Sequence, residues 1–189
     1  LLAPVEVQQN QDWGLDHGTW SVLAHVYPDA NLPVVQLSLD ASLPPRYHYD
    51  LGARLAPLRD EGVLIVGSGN VVHNLGRIQW AEDARPHDWA VRFNDTVRAH
   101  LAAREHRALI DYASLGEDAR LGVPTPEHYL PLVYILAQQG EDEALALHDE
   151  RHLDLVALPR VRDAGRDGQD GVHEECLLAL DAGAFEDGR

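Results

Sequence analysis

Residues 63–70, VLIVGSGN, constrain the fold more than any other segment. Four consecutive apolar residues, three of them β-branched, run straight into a Gly-Ser-Gly turn. The run is too short for a helix and has no polar face, so it fits a strand covered on both sides, as in a parallel sheet. Parallel strands need long crossover connections, normally helical, and the flanking segments supply them. Upstream, residues 19–27 place Trp20, Leu23 and Tyr27 on one helical face, with Pro28 and Asp29 ending it. Residues 32–40 then alternate, with Val35, Leu37 and Leu39 on one side of a strand and Gln36 and Ser38 on the other. A helix over 47–59 buries Leu51, Leu55 and Leu58. Downstream, Pro86 opens a helix in which Trp89, Phe93, Val97 and Leu101 recur every fourth residue, and a last helix runs from Pro126 to Gln139. This alternation predicts an α/β fold, a central and mainly parallel sheet with helices on both faces.

Composition narrows the chemistry. The 189 residues suit one domain, and all 15 basic side chains are Arg against 31 Asp and Glu. Without Lys there is no phosphate-loop lysine and no Schiff-base amine. A single thiol, Cys176, closes no internal disulfide and builds no multi-cysteine zinc or iron–sulfur site. A net charge of −16 argues against nucleic-acid or anionic-membrane partners, which need clustered cations. No signal peptide or membrane span is visible, so a soluble, cytoplasmic protein is expected. The 11 histidines stand out as the chief available metal ligands.

Residues 141–189 carry 14 acidic and 5 basic side chains, a net of −9 that leaves −7 for the first 140. Within them, 160–171 (RVRDAGRDGQDG) show neither helical nor strand periodicity and little apolar surface. The expected organisation is a folded portion over 1–145 and an acidic irregular tail over 146–189, with a short helix over 174–180.

Three histidine motifs carry the functional signal. In GLDHGTW (14–20), His17 lies between an acid and a glycine at a helix start, with Thr19 able to cap. Taken alone it is more often a turn residue. In VLIVGSGNVVHNLG (63–76), His73 follows the carboxyl end of the apolar strand, where open α/β sheets bind ligands. A simple hydrogen-bonded histidine competes with that reading. In VPTPEHYLPLVYIL (123–136), Thr125 reads as a cap and Pro126 as the first helical residue, which places His128 in the first turn. The helix dipole there favours a neutral, metal-binding imidazole. Glu127 reads as a helix-start acid. His25, His48, His87, His100, His106, His148, His152 and His173 read as solvated surface.

In this order, GLDHGTW, YPDANLPVVQLSLD, GSGNVVHNL and PTPEHYLPL resemble the class III extradiol ring-cleavage dioxygenases, in particular the DOPA 4,5-dioxygenase-like branch. The likeness covers about residues 10–140. It implies oxygen-dependent cleavage of a catechol-like aromatic at a mononuclear non-haem metal, Fe(II) for activity, with Zn(II) accommodated in the same site. By motif, His73 matches a histidine of the metal centre, a ligand in this branch and an acid/base group in more distant relatives. His128 matches a further ligand, and His17 a histidine near the substrate or oxygen. Neutral imidazoles suit iron while leaving positions open, and an imidazole titrating near neutrality can take and return catechol protons. The family's His-Gly strand and Ser-Ala-His segment, which supply two more ligands, are not in this sequence. The resemblance therefore implies a domain truncated at its amino terminus, with weak metal binding and poor turnover by this chain alone. It also implies a changed reading frame after about residue 145, where the family's Gly-Ser-Met-rich ending is replaced.

Two rivals belong to other classes. A nucleotide-binding oxidoreductase would use the Gly67–Gly69 turn, although the dinucleotide fingerprint wants a small residue where Val72 stands. An inactive remnant or interaction module would follow from the missing ligands. The catechol and the oligomeric state are left open by the sequence.

Overall fold

The computed structural model describes residues 1–81, 84–143, 155–157 and 176–181. It mixes helices and strands: α1 (His17–Val26), β1 (Val34–Ser38), α2 (Pro45–Leu55), β2 (Val63–Ser68), α3 (Asp88–Ala102), α4 (His106–Ile110), α5 (Glu117–Gly122), α6 (Leu130–Leu136), β3 (Leu155–Ala157) and β4 (Cys176–Asp181). The strands pair in the order β1-β4-β2-β3. β4 is parallel to both β1 and β2, with Leu178 opposite Val35 and Ile65, while β3 is antiparallel to β2.

The buried apolar residues join α2, α3 and α6 to β2. α6 is buried along its whole length, and Leu51 and Leu55 of α2, Ile65 of β2, and Phe93, Val97 and Leu101 of α3 pack into the same core. Two glycines allow unusually close packing: a Cβ on Gly52 would lie 3.0 Å from the Tyr134 carbonyl oxygen, and one on Gly122 would meet the Phe93 ring. After α2 a 3-10 turn (Ala56–Glu61) ends on Gly62 at φ 89°, left-handed backbone that glycine adopts without strain, and the chain turns directly into β2.

Several local expectations change. The α1 cap is Asp16, whose carboxylate accepts from the Thr19 amide, so the helix begins at His17 and Thr19 is buried inside it. Trp20 is 54 % exposed, outside the apolar face drawn for it. In β1, Val35 is exposed while Gln36 is half-buried, because Gln36 exchanges two hydrogen bonds with Asp16. The last helix is shorter than 126–139: residues 126–129 form a single turn, and regular helix starts at Leu130. Pro131 explains the boundary, since it lacks an amide hydrogen and is tolerated in a first turn but not inside a helix. His128 therefore precedes the helix instead of occupying its first turn. The short helix expected over 174–180 is the strand β4, since an apolar run of that length has no periodicity to distinguish the two states. Apart from β3 and β4, the tail lies outside the described residues.

His48 is a further correction. It is 1 % exposed, donating from Nε2 to the Asp40 carbonyl and accepting at Nδ1 from the Tyr134 hydroxyl. It thereby ties the end of β1 to α2 and α6. His106 is also structural, bridging Tyr49 and Gln139.

Candidate metal centre and adjoining groove

β2 ends at Ser68, and the next six residues are fastened to the segment leading into α6. The Asn70 amide donates to the His128 carbonyl at 2.8 Å, the His73 amide to the Gly122 carbonyl at 2.8 Å, and the Asn74 side-chain amide to the Leu121 carbonyl at 2.7 Å. The glycines of the GSG turn make this approach feasible. A Cβ on Gly69 would lie 2.3 Å from the His128 carbonyl oxygen, and one on Gly67 would lie 2.8 Å from the Pro131 carbonyl oxygen and from Ile135 Cγ1. The space beside these glycines is thus filled by the backbone of His128 and Pro131 and the side chains of Pro131 and Ile135, which is the opposite of an open cradle for a pyrophosphate.

The fastening brings His73 and His128 together. Their rings stack with centroids 3.5 Å apart and planes inclined at 29°. Glu127 joins them, and one ligand atom from each of His73, Glu127 and His128 lies within 4.8 Å of the others. Two imidazoles and a carboxylate at this spacing fit a divalent transition metal. Glu127 is the residue that sequence reasoning missed. Its signal was its place beside His128 on a turn before Pro131, where neighbouring side chains are not forced onto opposite faces. The Thr125 hydroxyl, expected as a helix cap, instead donates to the Glu127 carboxylate. Close by, burial pushes the Tyr112 phenol up, helped by the Glu127 charge, and Tyr112 packs 4.5 Å from the buried ring of Tyr129.

His17 is the first residue of α1 and is exposed, outside the group of three. Its turn is nevertheless anchored to the same end of β2: the Ser68 hydroxyl donates to the Gly18 carbonyl at 3.0 Å, while Gln36 holds Asp16. A groove of about 600 Å³ is lined by His73, by neighbours between Val71 and Gln79, and by residues between Ala84 and Asp95 that lead into and along the start of α3. The volume is in the usual range for a small-molecule site.

Residues 3–157 match the family model described as the catalytic LigB subunit of aromatic ring-opening dioxygenase. The chain belongs to that family. Its LigB-type relatives include a 4,5-DOPA dioxygenase extradiol from Escherichia coli K12, 46 % identical over 151 residues, covering 78 % of this chain and 55 % of the relative. A 4,5-DOPA dioxygenase extradiol from Beta vulgaris is 37 % identical, covering 75 % of this chain and 52 % of its own length. The chain thus spans about half the length of the curated relatives it matches. A crystal structure of an uncharacterized E. coli K12 protein superposes with a TM-score of 0.74 at 44 % identity, covering 83 % of this chain and 66 % of the other.

Proposed function

We propose that this chain is the His73–His128 portion of an extradiol dioxygenase that opens the ring of a catechol-like, DOPA-like aromatic with dioxygen, on a single non-haem metal. The observation that carries the reading is the stacked His73–His128 pair, with Glu127 beside it, at the carboxyl end of β2 in a member of the LigB family. His73 and His128 are the metal contacts in this reading, and Glu127 is a third donor from the same chain. When bound, ferrous iron supplies the charge that acidifies a catechol and the electrons that activate dioxygen. The donor set also accommodates zinc.

The remaining work falls to the protein. His73, which lines the groove, orients an aromatic ring against the apolar side chains of Val71, Val72 and Trp89. His17 is the acid/base group: an exposed imidazole can accept a hydroxyl proton and return one to the oxygen released at ring opening. Asp16, Gln36 and Ser68 fix where that imidazole starts from. The wider architecture in this reading is the carboxyl-terminal portion, about residues 1–145, of a mainly parallel sheet with helices on both faces, followed by the acidic tail over 146–189.

Titrating the chain with Co(II) while following its visible absorption tests the site directly. The expected result is a ligand-field band lost in both His73→Ala and His128→Ala. A band of unchanged intensity in either variant overturns the assignment of that residue. Among the described residues no helix is long and apolar enough to cross a membrane.

A further inference from the structure

The groove beside His73 has a charge pattern that the ring-cleavage reading does not require. Apolar side chains form its body, yet two arginines, Arg77 and Arg85, are among the residues that line it, in a chain where acids outnumber bases 31 to 15. Arg46, Arg59 and Arg92 each hold a carboxylate partner, whereas Arg77 and Arg85 have none among the described residues. The wall between them is braced. His87 donates from Nε2 to the Arg77 carbonyl at 2.8 Å and stacks on Trp89 with ring planes 17° apart. Among the described residues, the carboxylate lining the groove is Asp95, six residues along α3 from Trp89.

We infer that Arg77 and Arg85 form a carboxylate-reading subsite, selecting aromatic substrates whose ring bears an anionic side chain and holding that side chain away from the metal. The inference rests on the ring-cleavage reading for its substrate and adds the residues that choose among catechols. A forked guanidinium suits the task because it offers two parallel donors to one carboxylate. A ring at His73 and a short acid-bearing arm along the apolar body both fit within about 600 Å³. Asp95 supplies a counterpart for a cationic group on the same arm.

The test follows Trp fluorescence, since Trp89 lines the groove, during titration of the metal-loaded chain with four probes. These are 3-(3,4-dihydroxyphenyl)propionate, dopamine, 4-methylcatechol and 3-phenylpropionate. The acid-bearing catechol should bind about tenfold tighter than 4-methylcatechol, a ratio expected of one charge-assisted contact. Arg77→Gln and Arg85→Gln should each cut the ratio severalfold and leave 4-methylcatechol unchanged, while Arg85→Lys should restore part of it. Equal affinities in the wild-type chain, no binding, or a ratio untouched in both variants overturns the subsite. The probe 3-phenylpropionate separates the two readings because it has no diol. If it keeps its Arg-dependence while 4-methylcatechol shows no dependence on metal, the ring-cleavage reading fails and the subsite stands.

Discussion

Gly69→Ala is the substitution that most sharply tests how the site is assembled. The added methyl would sit 2.3 Å from the His128 carbonyl oxygen and 3.1 Å from Pro131 Cγ. Ordinary carbon–oxygen contact requires the two segments to part by about 1 Å. The Asn70 amide, now 2.8 Å from that same oxygen, would then lie beyond hydrogen-bonding distance. An orphaned part-buried donor costs about 1–3 kcal/mol and forced repacking a further 1–3 kcal/mol. The sum, roughly 2–6 kcal/mol, is a large share of the stability of a typical domain. It acts first on the His73–His128 stack, because the turn carrying His128 is what moves. Urea unfolding should show the midpoint falling, and Co(II) titration should show weaker binding at pH values where the variant is still folded. Gly76→Ala is the control, since its nearest neighbour is Asn74 Oδ1 at 3.4 Å. A Gly69→Ala protein with wild-type stability and wild-type metal affinity would refute the claim that this glycine exists to admit the His128 backbone.

Three further outcomes follow from the same contacts. Burial holds the His48 imidazole below its ordinary value, against the opposing pull of Asp40, so the unfolded chain takes up that proton first as pH falls. Stability from His48 is therefore full above pH ~6.5 and declines below it, by at most about 1.4 kcal/mol per pH unit. In His48→Gln the urea midpoint should change less between pH 7.5 and 5.5, and an unchanged slope contradicts the assignment. Gln36→Ala removes both hydrogen bonds to Asp16, the cap of α1, and should cost about 1–2 kcal/mol in denaturant unfolding. Glu127→Gln keeps an acceptor for Thr125 but loses a charged donor, so Co(II) affinity should drop about tenfold or more. Equal affinity would place Glu127 outside the metal's coordination.

What could be read from the sequence was what local spacing determines. The apolar run at 63–66 lies in β2, the four-residue repeat of Phe93, Val97 and Leu101 is the buried face of α3, and the motifs around His73 and His128 mark two rings that meet in the structure. Glu127 escaped notice because an acid before a helix has an ordinary explanation, and only the position of His73, 54 residues earlier, gives it another. The burial of His48 is hidden from local sequence for the same reason. Its neighbours Tyr47 and Tyr49 look amphipathic, whereas its burial is set by Tyr134, 86 residues away. β4 is the clearest case. The tail reads as irregular with a short helix over 174–180, yet Cys176–Asp181 pairs with β1 on one side and β2 on the other, so all five β1 residues find their strand partners there. A segment can be acidic on average and still contain the six residues that join two strands. Average composition governs whether a stretch can form a core of its own, whereas a strand that completes an existing sheet needs only backbone donors and acceptors in register. Those are present in every non-proline residue and leave no mark in composition.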